Sequence, residues 1–425
     1  MDGKGYASIS DAIAAINDTE QHTITLVDLD GYNDNSVTGE GVFLGAGDKN
    51  IVIDFNGLTY NVNKLVGSAG TKSQLFHLEK GNTVTLKNGK IGVDEAVSKD
   101  VGMFIQNYSY LTLDGMTVDS SSYAGVSYTI SNNNGSLTVT GDTTIKAADG
   151  KVAFDVWYGM YESYYDGVTV TFDEGFTGTV IGKVEYGAAT ATSEWMEKTK
   201  IEFNSPDGVF DIDIDMSKNV PDATDANINV ESGTFSKGVD LAYVADGQKV
   251  GVKPGGGMEV GSEISGEGYD AIYTVSGDEN ASMSAIVYTA DMFKKALDND
   301  SVTEITLGKD FGGSYTIDRD VTIKAADGVT FSGNIVIESS SVTRTTGANV
   351  TLEGVAFQGN GSGTAISVKN GSLTMTGGSI TDYDNGIVAG TRGGAAVDIS
   401  VDNVTFTELD EKGIYGEAFG KFTVS

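Results

Sequence analysis

One motif recurs along this sequence: two apolar residues flank a threonine, a polar-Gly or polar-Asn turn follows, and a second short apolar strand closes it. It reads Val84-Thr85-Leu86-Lys87-Asn88-Gly89-Lys90-Ile91, and returns as Leu111-Thr112-Leu113-Asp114-Gly115-Met116-Thr117-Val118 and as Leu137-Thr138-Val139-Thr140-Gly141. Later copies are Val350-Thr351-Leu352-Glu353-Gly354, Leu373-Thr374-Met375-Thr376-Gly377 and Val397-Asp398-Ile399-Ser400-Val401-Asp402-Asn403. The starts at 84, 111 and 137 lie 27 and 26 residues apart, and those at 350, 373 and 397 lie 23 and 24 apart. A period near two dozen residues is one turn of a parallel β-helix. Each coil holds short strands whose alternate residues point inward. One coil cannot bury that face alone, so coils stack and share a core. The Gly and Asn positions supply the left-handed backbone that tight corners need.

Longer echoes indicate duplication. Asn134-Gly135-Ser136-Leu137-Thr138 matches Asn370-Gly371-Ser372-Leu373-Thr374, and Thr144-Ile145-Lys146-Ala147-Ala148-Asp149-Gly150 matches Thr322-Ile323-Lys324-Ala325-Ala326-Asp327-Gly328. Two helices interrupt the strands. Ser8 can cap a helix bearing Ile9, Ala12, Ile13 and Ile16, and Thr289 can cap one bearing Met292, Phe293, Ala296 and Leu297. An amphipathic helix closes the open first coil of a β-helix, so two such helices predict two starts. The expected fold is therefore all-β: right-handed parallel β-helix segments in tandem, each opened by a capping helix. We expect the first over residues 1–205, a partly stranded closing segment and linker over 206–284, and the second over 285–425. All three prolines, Pro206, Pro221 and Pro254, fall in the middle stretch.

Composition narrows the setting. With 60 acidic and 27 basic residues the formal charge is −33, which repels nucleic acid and anionic membranes. There is no cysteine, which an oxidising compartment permits. No apolar run is long enough to span a bilayer. Met1-Asp2-Gly3-Lys4 has no apolar segment behind it, and we expect a signal peptide to be lost from the mature chain. The coil pattern still runs at Phe422-Thr423-Val424, so we expect the native protein to continue past Ser425 into more coils and an anchoring region.

The stretch from Ile9-Ser10-Asp11-Ala12-Ile13 through Ile51-Val52-Ile53-Asp54-Phe55-Asn56-Gly57 resembles the pectate-lyase-like right-handed β-helix superfamily. More narrowly, it is similar to secreted surface proteins of gut Firmicutes. Gly233-Thr234-Phe235-Ser236, followed by Ala242-Tyr243-Val244-Ala245-Asp246-Gly247, resembles the segment those proteins place after a last coil. The resemblance implies fold and location better than activity, because the superfamily mixes lyases, hydrolases and non-catalytic adhesins. Its lyases hold Ca²⁺ on acidic residues, and its polygalacturonases combine aspartates with Gly-His-Gly and Arg-x-Lys segments. Neither segment occurs here, and His22 and His77 are the only histidines.

Two constellations stand out. Trp157, Tyr158, Tyr161, Tyr164 and Tyr165 gather five large rings in a segment that breaks the coil pattern. Aromatics with polar tips stack on sugars and anchor protein contacts, so these five are the candidate ligand-binding residues; filling a bulge in the core is the competing reading. Asp211, Asp213 and Asp215 alternate with isoleucines and form the candidate metal site, a weak one for Ca²⁺, against a solvated strand face. No other cofactor is expected. Acidic turns at Asp28, Asp30, Asn33, Asp34 and Asn35, and at Asp382, Asp384 and Asn385, read as turns rather than metal sites. The functional expectation is an extracellular, cell-surface module that binds a glycan or a host or bacterial surface protein without catalysis, as adhesin or stalk. A polysaccharide lyase or glycoside hydrolase is the alternative, and a purely architectural spacer a third reading. Nucleic acid and membrane insertion by these residues are not expected.

Overall fold

The structure is a computed structural model that describes residues 1, 3–28, 35–68, 70–159, 167–189, 198–218, 227–275, 283–338, 347–390, 392 and 394–425. It is the expected parallel β-helix, with 57 % of residues in strand and 5 % in helix. The chain divides into two compact units, one of residues 1–245 and 256–261, the other of residues 246–255 and 262–425. Among the described residues no helix is long and apolar enough to cross a membrane.

The first unit opens with helix α1 (Ile9–Ala14). Ser8 caps it, its Oγ accepting the Asp11 N–H at 3.0 Å, and Ile9, Ala12 and Ile13 turn into the core. Three parallel faces follow. On the first face the inward column runs Ile24, Ile53, Leu86, Leu113, Val139, Phe172, Phe203, Val230. On the second it runs Val37, Tyr60, Ile91, Val118, Ile145, Val180, Phe210, Phe235. On the third it runs Val42, Phe76, Ile105, Ile130, Phe154, Val184, Ile214. Like residues stack on like, which brings each side chain against its counterparts one coil above and below. The corners between the first two faces carry the motif's Asn and Gly: Asn56, Asn88, Gly115 and Gly141 all have φ between 54° and 61°.

The parallel stack continues through the stretch expected to be linker, as far as Phe235. Pro206 does not break it. It lies inside the strand Thr199–Lys218 between the first-face and second-face registers, at residues skipped by the pairing with Asn227–Phe235. A proline at such a corner forfeits no ladder hydrogen bond. The last levels are closed by phenylalanines: Phe172 stacks on Phe203 at 5.3 Å between centroids, and Phe210 on Phe235 at 5.0 Å. Gly233–Phe235 then pairs antiparallel with Met258–Val260, which ends the parallel stack.

The second unit begins with antiparallel pairing of Lys249–Val252, Ala271–Thr274 and Met283–Val287. Helix α2 (Ala290–Asp298) follows, with Thr289 Oγ1 accepting the Met292 N–H at 3.2 Å and Met292, Phe293 and Ala296 buried. From there the strands are parallel. Ala285, Ile305, Ile323, Leu352, Met375 and Val401 form one inward column; Phe311, Phe331, Phe357, Ile380 and Phe406 form another. Its corners repeat the same chemistry, with Gly354, Gly377 and Asn403 at positive φ.

Candidate functional site

The third face of the first unit carries the densest chemistry. In the strand Val152–Tyr158, alternation sends Phe154, Val156 and Tyr158 inward and Asp155 and Trp157 to the other side. Asp155 belongs to a polar column: His77 pairs in register with Gln106, Gln106 with Ser131, Asp155 with Glu185, and Glu185 with Asp215. The side chains interlock across coils. Gln106 Nε2 donates to Ser131 Oγ at 3.2 Å, Ser131 Oγ donates to Asp155 Oδ2 at 3.4 Å, and the Asn132 N–H donates to Asp155 Oδ1. Tyr128 reaches past the Val152 coil to donate its hydroxyl to Glu185 Oε2 at 2.6 Å.

This packing changes the acid chemistry of Asp155. Burial pushes its carboxyl up to about 7, the neighbouring Glu185 carboxylate pushes it the same way, and the hydrogen bonds from Asn132 and Ser131 oppose both only in part. Burial, together with the Glu185 hydrogen bond and charge, raises the Tyr128 hydroxyl above its ordinary range. The result is a carboxyl that holds a proton near neutral pH, one coil from a second carboxylate.

Beside the acids, inside the turn, Asn107 and Asn132 stack in the core. Asn107 Nδ2 donates to Asn132 Oδ1 at 2.7 Å and to Ser136 O at 2.9 Å, and its Oδ1 accepts from Ser109. Asn132 Nδ2 finds no acceptor among the described residues.

At the other end of the same face stands a ring platform. Phe43, 47 % exposed, lies flat on the His77 ring with centroids 4.9 Å apart and planes 15° apart. Tyr108 leans on His77, with ring centroids 5.8 Å apart and planes 54° apart. His77 is buried and fixed in its plane, with Nδ1 2.6 Å from Gln74 Oε1 and Nε2 2.7 Å from Glu79 Oε1. Phe43 therefore rests on an immobilised ring.

Of the five rings expected to bind ligand, Tyr158 is 2 % exposed and turned into the core, and Trp157 is half-buried on the side of Asp155. Tyr161, Tyr164 and Tyr165 lie outside the described residues. Of the aspartates expected to hold a metal, Asp211 and Asp213 meet at one point, and Lys237 occupies it. Asp211 is in register with Ile181 on the second face, whereas Asp213 and Asp215 are in register with Lys183 and Glu185 on the third. Lys237 Nζ sits 3.1 Å from Asp211 and 2.9 Å from Asp213, supplying the positive charge that a cation would bring. Among the described residues no group of three His, Asp or Glu side chains is placed to hold a metal. Asp384 serves a turn, its Oδ2 accepting the Gly363 N–H at 2.7 Å, and Asp382 occupies a corner at φ 66°. Asp30, Asn33 and Asp34 lie outside the described residues.

The first unit also has a shallow cleft of about 370 Å³ near its last coils, with Asp173, Glu174, Glu202 and Glu231 in its lining. Lys200 pairs with Glu202 at its edge. No protein-family model matches this sequence, and no curated protein matches it significantly. The fold defines a class of architecture, the parallel β-helix.

Proposed function

We propose that this chain is an extracellular bacterial surface module of the pectate-lyase-like kind, of the sort carried by gut Firmicutes, that binds glycans as an adhesin or stalk without catalysis. The observation that carries this reading is the Phe43–His77–Tyr108 platform. A sugar ring presents a face of C–H groups that packs on an aromatic plane, and the gain is largest when that plane is already fixed. Phe43 is exposed, flat and held. The surface charge of −33 suits solubility outside a cell and works against anionic partners. The ligand is a glycan or a glycosylated surface protein. Replacing Phe43 by Ala is expected to weaken binding to the best glycan on an array about tenfold, as the loss of roughly 1.4 kcal/mol of stacking would give. Thermal unfolding should barely move, because Phe43 is half exposed. Unchanged affinity would remove the platform from the binding site.

A hydrolase is a second reading, favoured by one observation: Asp155 is in register with Glu185 on the next coil, and burial pushes its carboxyl up to about 7, toward the range of a general acid. Release of reducing ends from a polysaccharide, lost in Asp155→Asn, would establish it. We expect none from polygalacturonate or common neutral polysaccharides, with or without Ca²⁺.

A further inference from the structure

The second unit has a groove of its own, about 480 Å³ in volume, at the corner where the strands Ala356–Gln358 and Thr364–Val368 are joined by the loop 359–363. No charged residue lines it, in a chain with 60 acidic residues. The lining is amide, hydroxyl and bare backbone.

Its polar groups are only partly used. Asn334 Oδ1 accepts from Ser314 Oγ at 2.5 Å, and Asn360 Oδ1 accepts from Ser362 Oγ at 2.8 Å. The Nδ2 groups of Asn334 and Asn360 make no hydrogen bond among the described residues. Gln358 Nε2 makes only long contacts, 3.4 Å to Gly359 O and 3.5 Å to Asp382 Oδ2, and its Oε1 is open. The groove thus presents open donors at Asn334 Nδ2 and Asn360 Nδ2 and an open acceptor at Gln358 Oε1. That pattern matches a ligand whose hydroxyls each donate and accept. An anion would find no cation in this lining, and the carboxylates that border it, Asp382 and Asp384, face Gln358 and the Gly363 N–H.

The floor is rigid and needs its glycines. A Cβ on Gly333 would fall 1.9 Å from Gly313 O, and one on Gly359 2.0 Å from Asp382 O. Tyr383 ties the floor together by donating its hydroxyl to Gly333 O across two coils at 2.6 Å. A fixed floor needs little ordering on binding.

From this we infer that the groove is a second glycan site, specific for a neutral oligosaccharide. It rests on the glycan-binding reading of the first unit but uses separate residues, so the two can fail separately. The test uses the full chain carrying Phe43→Ala, titrated calorimetrically with cellohexaose, mannohexaose and xylohexaose, and with trigalacturonate as the acidic probe. The expected result is saturable binding of at least one neutral hexaose, weakened tenfold or more by Gln358→Glu and by Asn334→Asp, with trigalacturonate the poorest ligand. These substitutions keep side-chain shape but turn an amide donor into a charged acceptor, and circular dichroism should show an unchanged fold. If no neutral hexaose binds, if binding survives both substitutions, or if trigalacturonate binds best, the proposal is overturned. Equal affinity of the Phe43→Ala and parent chains, with loss in the groove variants, would retain the groove and reject the platform.

Discussion

The first unit is expected to lose stability as pH rises from 5 to 8, by roughly 2–3 kcal/mol through Asp155 alone. The Asp155 carboxyl titrates near 7 in the folded chain against an ordinary 3.8, so between those values the folded state binds a proton that the unfolded state does not. Its contribution is complete below about 3.8 and is lost as pH climbs through about 7. This is opposite to the usual carboxylate, whose salt bridge strengthens with pH. The cause is geometric: an ionised Asp155 would be a buried charge beside Glu185, and the Asn132 N–H, the Ser131 Oγ and its own backbone N–H offset that cost only in part. Asp155→Asn keeps the shape and removes the charge. It should flatten the pH dependence and stabilise the unit at pH 8. Urea unfolding at pH 5, 6.5 and 8 checks this. Equal slopes for parent and variant would show that Asp155 carries no proton in the folded state.

Replacing Arg319 by Ala should cost the second unit roughly 3–5 kcal/mol. Arg319 is 6 % exposed, and its guanidinium gathers the carbonyls that end helix α2. Nε donates to Leu297 O at 2.9 Å, Nη2 to Ala296 O at 2.9 Å, and Nη1 to Val302 O and Asp320 O. A cation at a helix C-terminus is also favoured by the aligned peptide dipoles. Without it, buried carbonyls lose their donors and the helix that caps the unit loosens from Val302. Lysine cannot substitute, because one ammonium on a flexible stem does not span these acceptors. Arg319→Lys should recover less than half of the loss. In urea, the transition of the second unit should shift to lower concentration while that of the first stays in place. A coincident shift of both, or none, would contradict this role.

Much of the architecture was legible in the sequence because its physics is local. The Asn-Gly and Asp-Gly turns mark corners with positive φ, and Ser8 and Thr289 mark helix starts through their own hydrogen bonds. The extent of the first stack was not legible. Pro206 reads as an interruption in one dimension and is a corner in three. Nor could a fixed period give the register, since the column steps from Ile305 to Ile323 to Leu352, coils of 18 and 29 residues.

The candidate sites were less legible still. Phe43 and His77, or Asp155 and Glu185, are brought together by coil stacking and share no local pattern. One signal was available. Asp155 is the lone charge in Val152-Ala153-Phe154-Asp155-Val156-Trp157-Tyr158, and an acid inside an apolar strand must be paid for by partners or a proton. In the ring cluster Trp157 shares the side of Asp155, while Tyr158 obeys alternation and lies in the core.

The most direct measurement of the account as a whole is a glycan array probed with the full chain, followed by chromatography of the bound glycans after prolonged incubation. The account predicts selective binding to neutral glycans and recovery of each glycan intact. Shortened or unsaturated products would instead make the Asp155–Glu185 face catalytic, and an array with no selective binding would contradict glycan recognition by either unit.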